Sequence, residues 1–473
     1  MKKWTKVMAV VLCTMLFVSL FAGCADKDGS NGGKTTVSFW SGNTHSRVSL
    51  EQIAHEFNET IGKEKNIYFE YIVKEGGSLS QAIDVALQNG DAPDILGTGD
   101  TELMIANDQI IAIDDLPGGP ELLAEHKDHV WPNSNIYYGK TYTISTQATT
   151  QGLVYNKDMF RAAGLVDENG EPTPPETWDE VREYAKILTN TSKQQYGIIF
   201  PAKWGSGNGW FNSDILSPAM SINGHFGYDP KTGKYDYSAT EEIMNVILGI
   251  KEDKTFFPGA DSLDNDAARA QFAAGNIGMK FAFSFDAGVF NDQFKAVCDW
   301  GVAPYPTLDK GERYGLRMSS SSALGTINKK SVDEGKGEAI MEVIKYLLSD
   351  EITLRMYEDG VGIPIDADII EKSTKTDLPT GWEDFAKLVA ISQRYPVTPS
   401  DDMGSELQIG ERFVNEVWSG QKTPAELIAD CNRVKEEAIA RYDALHPENQ
   451  SSLYIDKDWD PLKWTLDDWK NLK

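Results

Sequence analysis

The chain has 473 residues, and its 41% hydrophobic and 10% aromatic content is enough to build a core, which excludes disorder throughout. The 72 acidic residues outnumber 45 basic ones. The resulting formal charge of −27 excludes a typical nucleic-acid binder, which needs clustered lysine and arginine. A single core stops growing near about 250–300 residues, so the length predicts two or three packing units.

The first 23 residues have the pattern of an export signal. Three lysines and no acidic residue precede an apolar run over residues 7–22, so the remaining chain has a formal charge of −30. The run is shorter than the roughly 20 residues that a membrane-spanning helix needs, and it ends in small residues. We therefore expect export and removal of residues 1–23.

Cys24 follows directly after the signal, in the sequence Leu-Phe-Ala-Gly-Cys. This resembles the lipobox of bacterial lipoproteins, although Phe21 stands where that motif usually has a small aliphatic residue. The resemblance implies acylation of Cys24; a cleaved signal with an incidental cysteine is the alternative. Residues 24–35 are polar and glycine-rich, which predicts a flexible tether. The protein is therefore expected to be lipid-anchored on the extracytoplasmic face of the cell membrane.

Two cysteines remain beyond the leader and the lipidation site, Cys298 and Cys431. Export permits a disulfide between them. Cys431 falls on the apolar side of a predicted helix, so a buried free thiol is an equal alternative. The sequence has no CxxC and no Cys/His cluster, so we expect neither a metal nor a redox cofactor.

Strands and helices alternate after the tether. Residues 36–40 predict a strand, and apolar residues at a 3.6-residue period over 50–61 predict the helix that follows. A second strand over 67–73, another helix and a short strand at 95–96 continue the pattern. This alternation predicts a parallel α/β sheet, whose ligands lie beyond the carboxyl ends of its strands.

A second unit begins after residue 145. Thr177 and Glu180 have the spacing of a capping box at the start of a helix, and residues 196–200 predict a further strand. The serine run at 319–322 suits a hinge, because small residues absorb dihedral changes easily. A polar turn without motion is the alternative for that run.

Nine short motifs follow one another along the chain. They occupy residues 36–42, 90–95, 139–142, 154–160, 163–165, 175–180, 272–279, 301–306 and 360–364. In this order and spacing they resemble the extracellular solute-binding proteins of ABC importers, in the carbohydrate-binding group that includes maltose-binding protein. Each motif is weak alone, and the order over the span from Cys24 to Pro364 makes the resemblance specific.

The resemblance implies a two-lobed α/β fold, in which each lobe is a mostly parallel sheet flanked by helices. Three hinge crossings, near residues 142–150, 317–322 and 362–365, would join the lobes around a ligand cleft. Lobe one would comprise residues 36–147 plus 319–362, and lobe two residues 148–318 plus 363–473. The implied partners are a sugar and the transmembrane subunits of a permease, with the protein itself a monomer.

A sugar presents apolar C–H faces and a rim of hydroxyls, so its site needs aromatic platforms together with fixed donors and acceptors. Position at strand ends, at the crossings and in glycine-rich loops selects the candidates. They are Trp40, Asn43, Thr44, Asp100, Thr150, Gln151, Trp204, Trp210, Phe283, Phe285, Asp286, Arg317 and Tyr395.

Several candidates have structural alternatives. Trp40 could cap the core, and Asp100 could cap the helix that follows it. Phe283 and Phe285 alternate as in a half-buried strand, so one of them could be core. Arg317 could form a structural ion pair. Trp204 and Trp210 frame a glycine-rich loop, where we expect at least one to contact a ligand.

The sequence therefore predicts a non-catalytic receptor that captures a sugar outside the cell and presents it to a membrane permease. One alternative is a cell-surface carbohydrate-active enzyme, although no G-x-S-x-G motif occurs. Another is the same fold with a peptide or polyamine ligand. His126 and His129 lie on an acidic stretch and are expected to be solvated.

Overall fold

The structure, a computed structural model, describes residues 32–44, 46–74, 79–130, 135–311, 313–320, 324–394, 398–399, 401–447 and 450–462. The predicted signal, the lipidation site Cys24, most of the tether and the candidate Tyr395 lie outside these residues. Arg317 is described by its backbone. No helix in these ranges is both long and apolar enough to cross a membrane.

The strands are numbered in chain order. They are β1 (Thr35–Ser41), β2 (Ile67–Val73), β3 (Ile95–Leu96), β4 (Ile110–Ile111), β5 (Ile136–Tyr137), β6 (Lys140–Thr141), β7 (Gln147–Asn156), β8 (Tyr196–Ile198), β9 (Tyr228–Asp229), β10 (Lys234–Tyr235), β11 (Ile277–Phe283), β12 (Trp300–Ala303), β13 (Gly315–Ser320), β14 (Thr326–Asn328), β15 (Ile363–Pro364) and β16 (Ser392–Arg394).

The α-helices are numbered in the same way, apart from short 3-10 and π segments. They are α1 (Arg47–Glu59), α2 (Ile61–Glu64), α3 (Leu79–Asn89), α4 (Thr101–Ala106), α5 (Gly119–Glu125), α6 (Lys157–Ala163), α7 (Trp178–Leu188), α8 (Asn208–Phe211), α9 (Ser217–Asn223), α10 (Thr240–Asp253), α11 (Asn265–Ala273), α12 (Asp286–Gly288), α13 (Lys329–Ser331), α14 (Gly337–Leu347), α15 (Asp350–Glu358), α16 (Ala367–Glu371), α17 (Trp382–Lys387), α18 (Ile409–Arg412) and α19 (Pro424–Leu445).

Lobe one contains a five-stranded sheet in the order β2-β1-β3-β14-β4. The first three of these strands are parallel, as the sequence predicts, and Trp40 at the end of β1 pairs with Ile72 and Leu96. β14 comes from much later in the chain and pairs antiparallel with β3 and β4. The carboxyl ends of β1 and β3 therefore lie at the same edge of the sheet.

Lobe two contains a seven-stranded mixed sheet built around β7. The main order is β16-β13-β7-β11-β8, and β12 and β15 also pair with β7. All four strands that pair with β7 run antiparallel to it, whereas β11 with β8 and β13 with β16 are parallel pairs. The two-lobed α/β fold is confirmed, but in lobe two the sequence missed these antiparallel pairings.

The three predicted crossings meet at the start of β7, where strands from the second and third crossings pair with the strand from the first. Gln147 at the start of β7 pairs with Ser320 on one side and with Pro364 on the other. Three passages of the chain therefore lie side by side where the lobes meet. The division into residues 36–147 plus 319–362 and 148–318 plus 363–473 stays a prediction.

Each lobe has its own hydrophobic core. Phe39, Phe57 and Ile344 belong to the cluster of lobe one, and Trp178 and Phe413 belong to the largest cluster of lobe two. A third cluster joins Tyr357 of lobe one to Trp382 of lobe two beside the third crossing, so the cores are separate except there.

The C-terminal segment packs on lobe two. Trp459 is part of the lobe-two core, and its Nε1 donates a hydrogen bond to the Gly224 carbonyl (2.8 Å). Cys298 and Cys431 are both free thiols, and Cys431 is buried, as one of the two alternatives predicts.

The expectation that His129 is solvated is wrong. Its ring is buried, and Nε2 lies 2.8 Å from the Asp366 carboxylate beside the third crossing. Nδ1 contacts Nδ1 of His126 at 3.1 Å, and burial is the main cause of the lowered pKa of His126.

Candidate functional site

The loop after β1 provides the first group of candidates. Trp40 is half-buried, and the Lys74 ammonium lies 4.2 Å from the centroid of its ring. Asn43 accepts a hydrogen bond from the Ser46 amide (3.2 Å) through Oδ1 and so builds the turn into α1. Thr44 is exposed. The three candidates share one rim of lobe one, and ligand contact by each stays a prediction.

Asp100 follows β3 on the same edge of the sheet. Its carboxylate accepts a hydrogen bond from the Leu103 amide (3.0 Å), which makes it the N-cap of α4. The structural alternative for Asp100 is therefore confirmed. Because the side chain is also exposed, capping leaves room for a ligand hydroxyl, and that contact stays a prediction.

Three aromatic side chains meet at the end of β11, and we refer to Trp204, Phe283 and Phe285 as the aromatic wall. The rings of Phe283 and Phe285 are stacked, with centroids 5.1 Å apart and planes 6° from parallel. Trp204 meets Phe283 edge to face at 6.3 Å. All three residues are only partly buried, so the wall is reachable from solvent.

A buried ion pair lies behind the aromatic wall. Asp286 has no exposed surface, and its Oδ1 lies 2.5 Å from Nη2 of Arg269. Asp286 Oδ2 also accepts a hydrogen bond from the Phe283 amide (3.1 Å), and the Arg269 guanidinium lies 5.7 Å from the Phe285 ring. The prediction that Asp286 accepts from ligand hydroxyls is therefore wrong: it anchors the wall from inside.

The structure also contradicts ligand contact by Thr150, Gln151 and Trp210, which are at most 1% exposed. Thr150 Oγ1 donates to the Phe385 carbonyl (2.8 Å), and Gln151 Nε2 donates to Ser213 Oγ (2.7 Å). Both residues lie on β7, whose central place in the sheet removes them from the surface.

Trp210 is enclosed by other aromatic rings of lobe two. Its nearest neighbours are Phe200, Phe413 and Trp418, at centroid distances of 5.5, 5.3 and 5.3 Å. Of the two tryptophans that frame the glycine-rich loop, only Trp204 is accessible for a ligand.

A groove of about 620 Å³ separates the lobe-one rim from lobe two. Thr44, Val48 and Gln52 line it on one side, and Gly288 and Asp292 line it on the other. The lobe-two side follows Phe285 and Asp286 in the sequence, but Trp204, Phe283 and Phe285 do not line this groove. Sequence reasoning missed Val48, which lies on α1, and Asp292, which lies in the helical segment after α12.

The lobes also touch at Glu102 and Tyr454. The Tyr454 hydroxyl, which belongs to the C-terminal segment on lobe two, donates a hydrogen bond to the Glu102 carboxylate on α4. Glu102 lies two residues after the Asp100 cap. The described conformation therefore has a direct polar bond between the lobes on the α4 side.

Two ionisable residues, Asp214 and Lys280, are buried inside lobe two. Burial raises the pKa of Asp214 to about 7, and attraction to Lys280 opposes part of that rise. Burial likewise lowers the pKa of Lys280, whose Nζ donates to the Phe281 carbonyl (2.7 Å). Neither side chain reaches the surface, so both affect stability and not direct ligand contact.

Within the described ranges, no group of three or more His, Cys, Asp or Glu side chains is arranged to hold a metal ion. The candidate residues and the groove present aromatic faces, hydroxyls, carboxamides, carboxylates and the ammonium groups of Lys74 and Lys375. Such groups bind a neutral polyhydroxylated molecule well.

Residues 42–353 match the model of a protein family described as bacterial extracellular solute-binding proteins. The sn-glycerol-3-phosphate-binding periplasmic protein of Brucella melitensis is 24% identical over 360 residues, covering 73% of this chain and 78% of that protein. The corresponding protein of Yersinia enterocolitica is 25% identical over 439 residues, covering 87% and 92%.

Solved structures share the fold. The GacH receptor of Streptomyces glaucescens, described without ligand and with acarbose, has a TM-score of 0.66 at 19% identity and covers 88% of this chain and 100% of that chain. A maltose/maltodextrin-binding domain of Bdellovibrio bacteriovorus, bound to maltotriose, has a TM-score of 0.64 at 18% identity and covers 86% and 100%.

Proposed function

The chain belongs to the family of bacterial extracellular solute-binding proteins, and we propose that it captures a sugar or oligosaccharide between its lobes for an ABC transporter. The observation that carries the proposal is the aromatic wall, three partly exposed rings that meet at the end of β11 on lobe two. Aromatic faces pack well against the C–H faces of sugar rings.

The polar residues around the groove suit the hydroxyl rim of such a ligand. Thr44 and Asp100 on lobe one are exposed, and Asp292 lines the groove from lobe two. Hydroxyl and carboxylate oxygens accept hydrogen bonds from sugar hydroxyls, and the carboxylates form the stronger ones because they are charged.

A phosphate ester is the second ligand class, because two curated relatives are named for binding sn-glycerol-3-phosphate. A phosphate needs free cationic donors at the site. Arg269 is buried and paired with Asp286, whereas Lys375 in the groove and Lys74 over the Trp40 ring keep donors for an anion. The carboxylates of Asp292 and Asp359 also line the groove and would repel a phosphate, which favours a neutral sugar.

Binding would work by closure of the two lobes. A ligand that contacts Thr44 or Asp100 on one side and the aromatic wall on the other gains both sets of contacts only when the cleft is shut. It therefore shifts the population towards the closed form, which the transmembrane subunits of the permease recognise. No bond of the sugar is made or broken in this cycle.

The protein would do this outside the cytoplasm, attached to the cell membrane through Cys24. A single acyl chain gives only marginal anchoring, so stable attachment would need a second chain or a second membrane-binding signal. Mass spectrometry of the membrane-extracted wild type tests this and should show the added lipid mass. Cys24→Ala should instead appear in the medium and lack that mass.

Thermal-shift screening against neutral mono- and oligosaccharides and against sn-glycerol-3-phosphate tests the ligand class. A ligand that binds only the folded state stabilises it by RT ln(1 + [L]/Kd), about 2.7 kcal/mol at a hundredfold excess over Kd. We expect the largest shift with a neutral oligosaccharide. A shift with the phosphate ester alone would replace the sugar assignment.

A further inference from the structure

Two histidines and an aspartate form a row of contacts beside the crossings between the lobes. Nε2 of His129 lies 2.8 Å from the Asp366 carboxylate, and Nδ1 of His129 lies 3.1 Å from Nδ1 of His126. We refer to these three residues as the crossing cluster. The histidines precede the first crossing and Asp366 follows the third, so the cluster links parts of the chain that a hinge motion would displace relative to each other.

The backbone fixes the cluster to two of the crossings. The His129 carbonyl accepts a hydrogen bond from the Ser145 amide (3.1 Å) at the first crossing. The Ile365 amide, next to Asp366, donates to the Thr146 carbonyl (2.9 Å). Side chains and backbone therefore join the first crossing, the third crossing and the turn after α5 in one closed set of contacts.

Asp366 is directed to His129 and not to its own helix. It stands at the N-cap of α16, where an aspartate carboxylate usually accepts from an amide of the first helical turn. Among the described residues that cap bond is absent, and the carboxylate faces His129 instead. The side chain of His129 is only 11% exposed and that of Asp366 28%, so solvent ions screen their contact only partly.

The contacts determine where the hydrogens lie. A carboxylate only accepts, so Nε2 of His129 carries the hydrogen towards Asp366. In the neutral His129 ring Nδ1 is then bare, and it accepts from His126, whose Nδ1 carries the hydrogen. The 3.1 Å contact between the two Nδ1 atoms has room for one hydrogen, so the two rings cannot both be imidazolium in this arrangement.

The surroundings of His126 oppose a positive charge on its ring. Burial is the main cause of its lowered pKa, and repulsion from His129 adds to the effect. Three carboxylates on neighbouring elements attract a proton and counteract part of it: Glu125 on α5, Asp350 on α15 and Asp366. The second of these carboxylates is paired with Lys372 at 2.9 Å, which reduces its attraction. Lys127 and Asp128, which follow His126 in the chain, are exposed.

We propose that the crossing cluster is a pH-sensitive switch in the hinge. At neutral pH it holds the described arrangement of the lobes. At acidic pH each ring takes its own proton, the rings separate, and the lobe equilibrium moves away from that arrangement. The inference rests on the proposed receptor function and adds a regulation to it: sugar capture outside the cell responds to the pH of the medium.

The direction of the response follows from His126. A separated, hydrated histidine titrates near about pH 6.5, whereas the ring in the cluster takes its proton only at a lower pH because its pKa is lowered. Below about pH 6.5 the separated state therefore binds more protons than the assembled one, and acidification favours separation. The contribution of the cluster is complete above this pH and is lost as the pH falls below it.

Two measurements without ligand test the switch. Nitrogen NMR of protein labelled at its histidines reports which ring nitrogens carry hydrogen, and small-angle X-ray scattering reports the arrangement of the lobes. Both are recorded at about pH 7.5 and about pH 5, on either side of the ordinary histidine pKa, for the wild type, His126→Asn and His55→Asn.

The two variants are matched. Asparagine at position 126 places a carboxamide near the position of Nδ1, where it donates or accepts and so accommodates His129 in either charge state without titrating itself. His55 is an exposed histidine on α1, and its replacement by asparagine is the control.

At the higher pH we expect hydrogen on Nδ1 of His126 and on Nε2 of His129. Acidification should increase the radius of gyration of the wild type and of His55→Asn, because the lobes touch in the described arrangement, and should leave that of His126→Asn nearly unchanged. The ratio of sugar affinities at the two pH values should differ between wild type and His126→Asn by about threefold or more, the value of one net hydrogen bond.

Hydrogen on Nδ1 of a neutral His129, or the same pH response of the radius in the wild type and His126→Asn, would overturn the switch. Because neither measurement needs a ligand, these results differ from a failure of the proposed function, which would appear as no sugar binding at either pH.

Discussion

The rings of Phe283 and Phe285 lie 6° from parallel with their centroids 5.1 Å apart. The two residues flank Ser284, where β11 ends and a turn leads into α12, and this turn brings the two rings side by side. Trp204 extends this pair edge-on, and Arg269 and Asp286 hold it from behind. The aromatic wall is therefore a rigid surface.

The two tryptophans of the glycine-rich loop should separate binding from stability. Trp204→Ala should weaken sugar binding by about tenfold or more, because it removes an accessible ring from the wall. Trp210→Ala should instead cost about 3–5 kcal/mol in the free energy of unfolding, because that ring is fully buried. Calorimetric titration and urea unfolding measure the two effects.

Each tryptophan variant serves as the control for the other. The opposite pattern, with Trp204→Ala strongly destabilised and its affinity unchanged, would mean that Trp204 is a structural residue and that the wall lies elsewhere.

The Arg269–Asp286 pair should be costly to break. Arg269→Met leaves the Asp286 carboxylate buried without its cation, and we expect a loss of about 3–5 kcal/mol in the free energy of unfolding. Arg161, whose ion pair with Asp299 (2.7 Å) is exposed, provides the matched control, and Arg161→Met should leave the free energy of unfolding nearly unchanged. Urea unfolding at neutral pH gives both values, and equal losses would contradict the assignment.

Asp214 should make the folded state sensitive to pH. Burial raises its pKa to about 7, whereas the same carboxyl group in the unfolded chain titrates near 4. Between these values the folded protein keeps a proton that the unfolded chain has lost. The free energy of unfolding therefore falls as the pH rises from about 4 to 7, and this contribution is constant above that window.

Asp214→Asn removes this titration and keeps the shape of the side chain. The melting temperature of the variant minus that of the wild type should rise by roughly several degrees between pH 4 and pH 7. Scanning calorimetry of both proteins measures this difference, in which the other titrating groups cancel. A difference that does not change with pH would show that Asp214 is ionised throughout.

The hydrogen bond between Tyr454 and Glu102 should favour the described arrangement of the lobes. Tyr454→Phe removes only the hydroxyl, and we expect a larger radius of gyration without ligand by small-angle X-ray scattering. Sugar affinity should change by about tenfold or more, because a bond to a charged group contributes about 1.5–3 kcal/mol and sugar binding shifts the equilibrium between lobe arrangements. Tyr68→Phe, on lobe one, is the control. An unchanged radius and affinity would show that this bond has no part in closure.

Local residue patterns and motif spacing predicted much of the fold. The 3.6-residue period placed α1, the capping box at Thr177 and Glu180 started α7, and strand–helix alternation predicted the parallel part of the lobe-one sheet. These features depend on neighbouring residues. The antiparallel partners of β7 come from up to about two hundred residues away, and no local signal predicts them.

The contrast between local patterns and distant contacts also explains which predictions about the site were correct. The alternation over residues 281–285 favoured a half-buried strand with one of Phe283 and Phe285 in the core, whereas the strand ends at Phe283 and both rings are partly exposed. The depth of Trp210 depends on Phe413 and Trp418, and that of Thr150 on Phe385, all distant in the sequence. Position relative to a crossing or a loop therefore identified the region, but tertiary packing decided which side chains a ligand can reach.

The central claim is that the protein binds a sugar between its lobes and leaves it unchanged. Calorimetric titration of the purified protein with the best sugar of the thermal screen, followed by mass spectrometry of the recovered ligand, tests it most directly. The account predicts saturable binding of one ligand per protein and a recovered sugar of unaltered mass. Shortened or modified sugar formed in excess over the protein, or no binding of any neutral sugar, would contradict it.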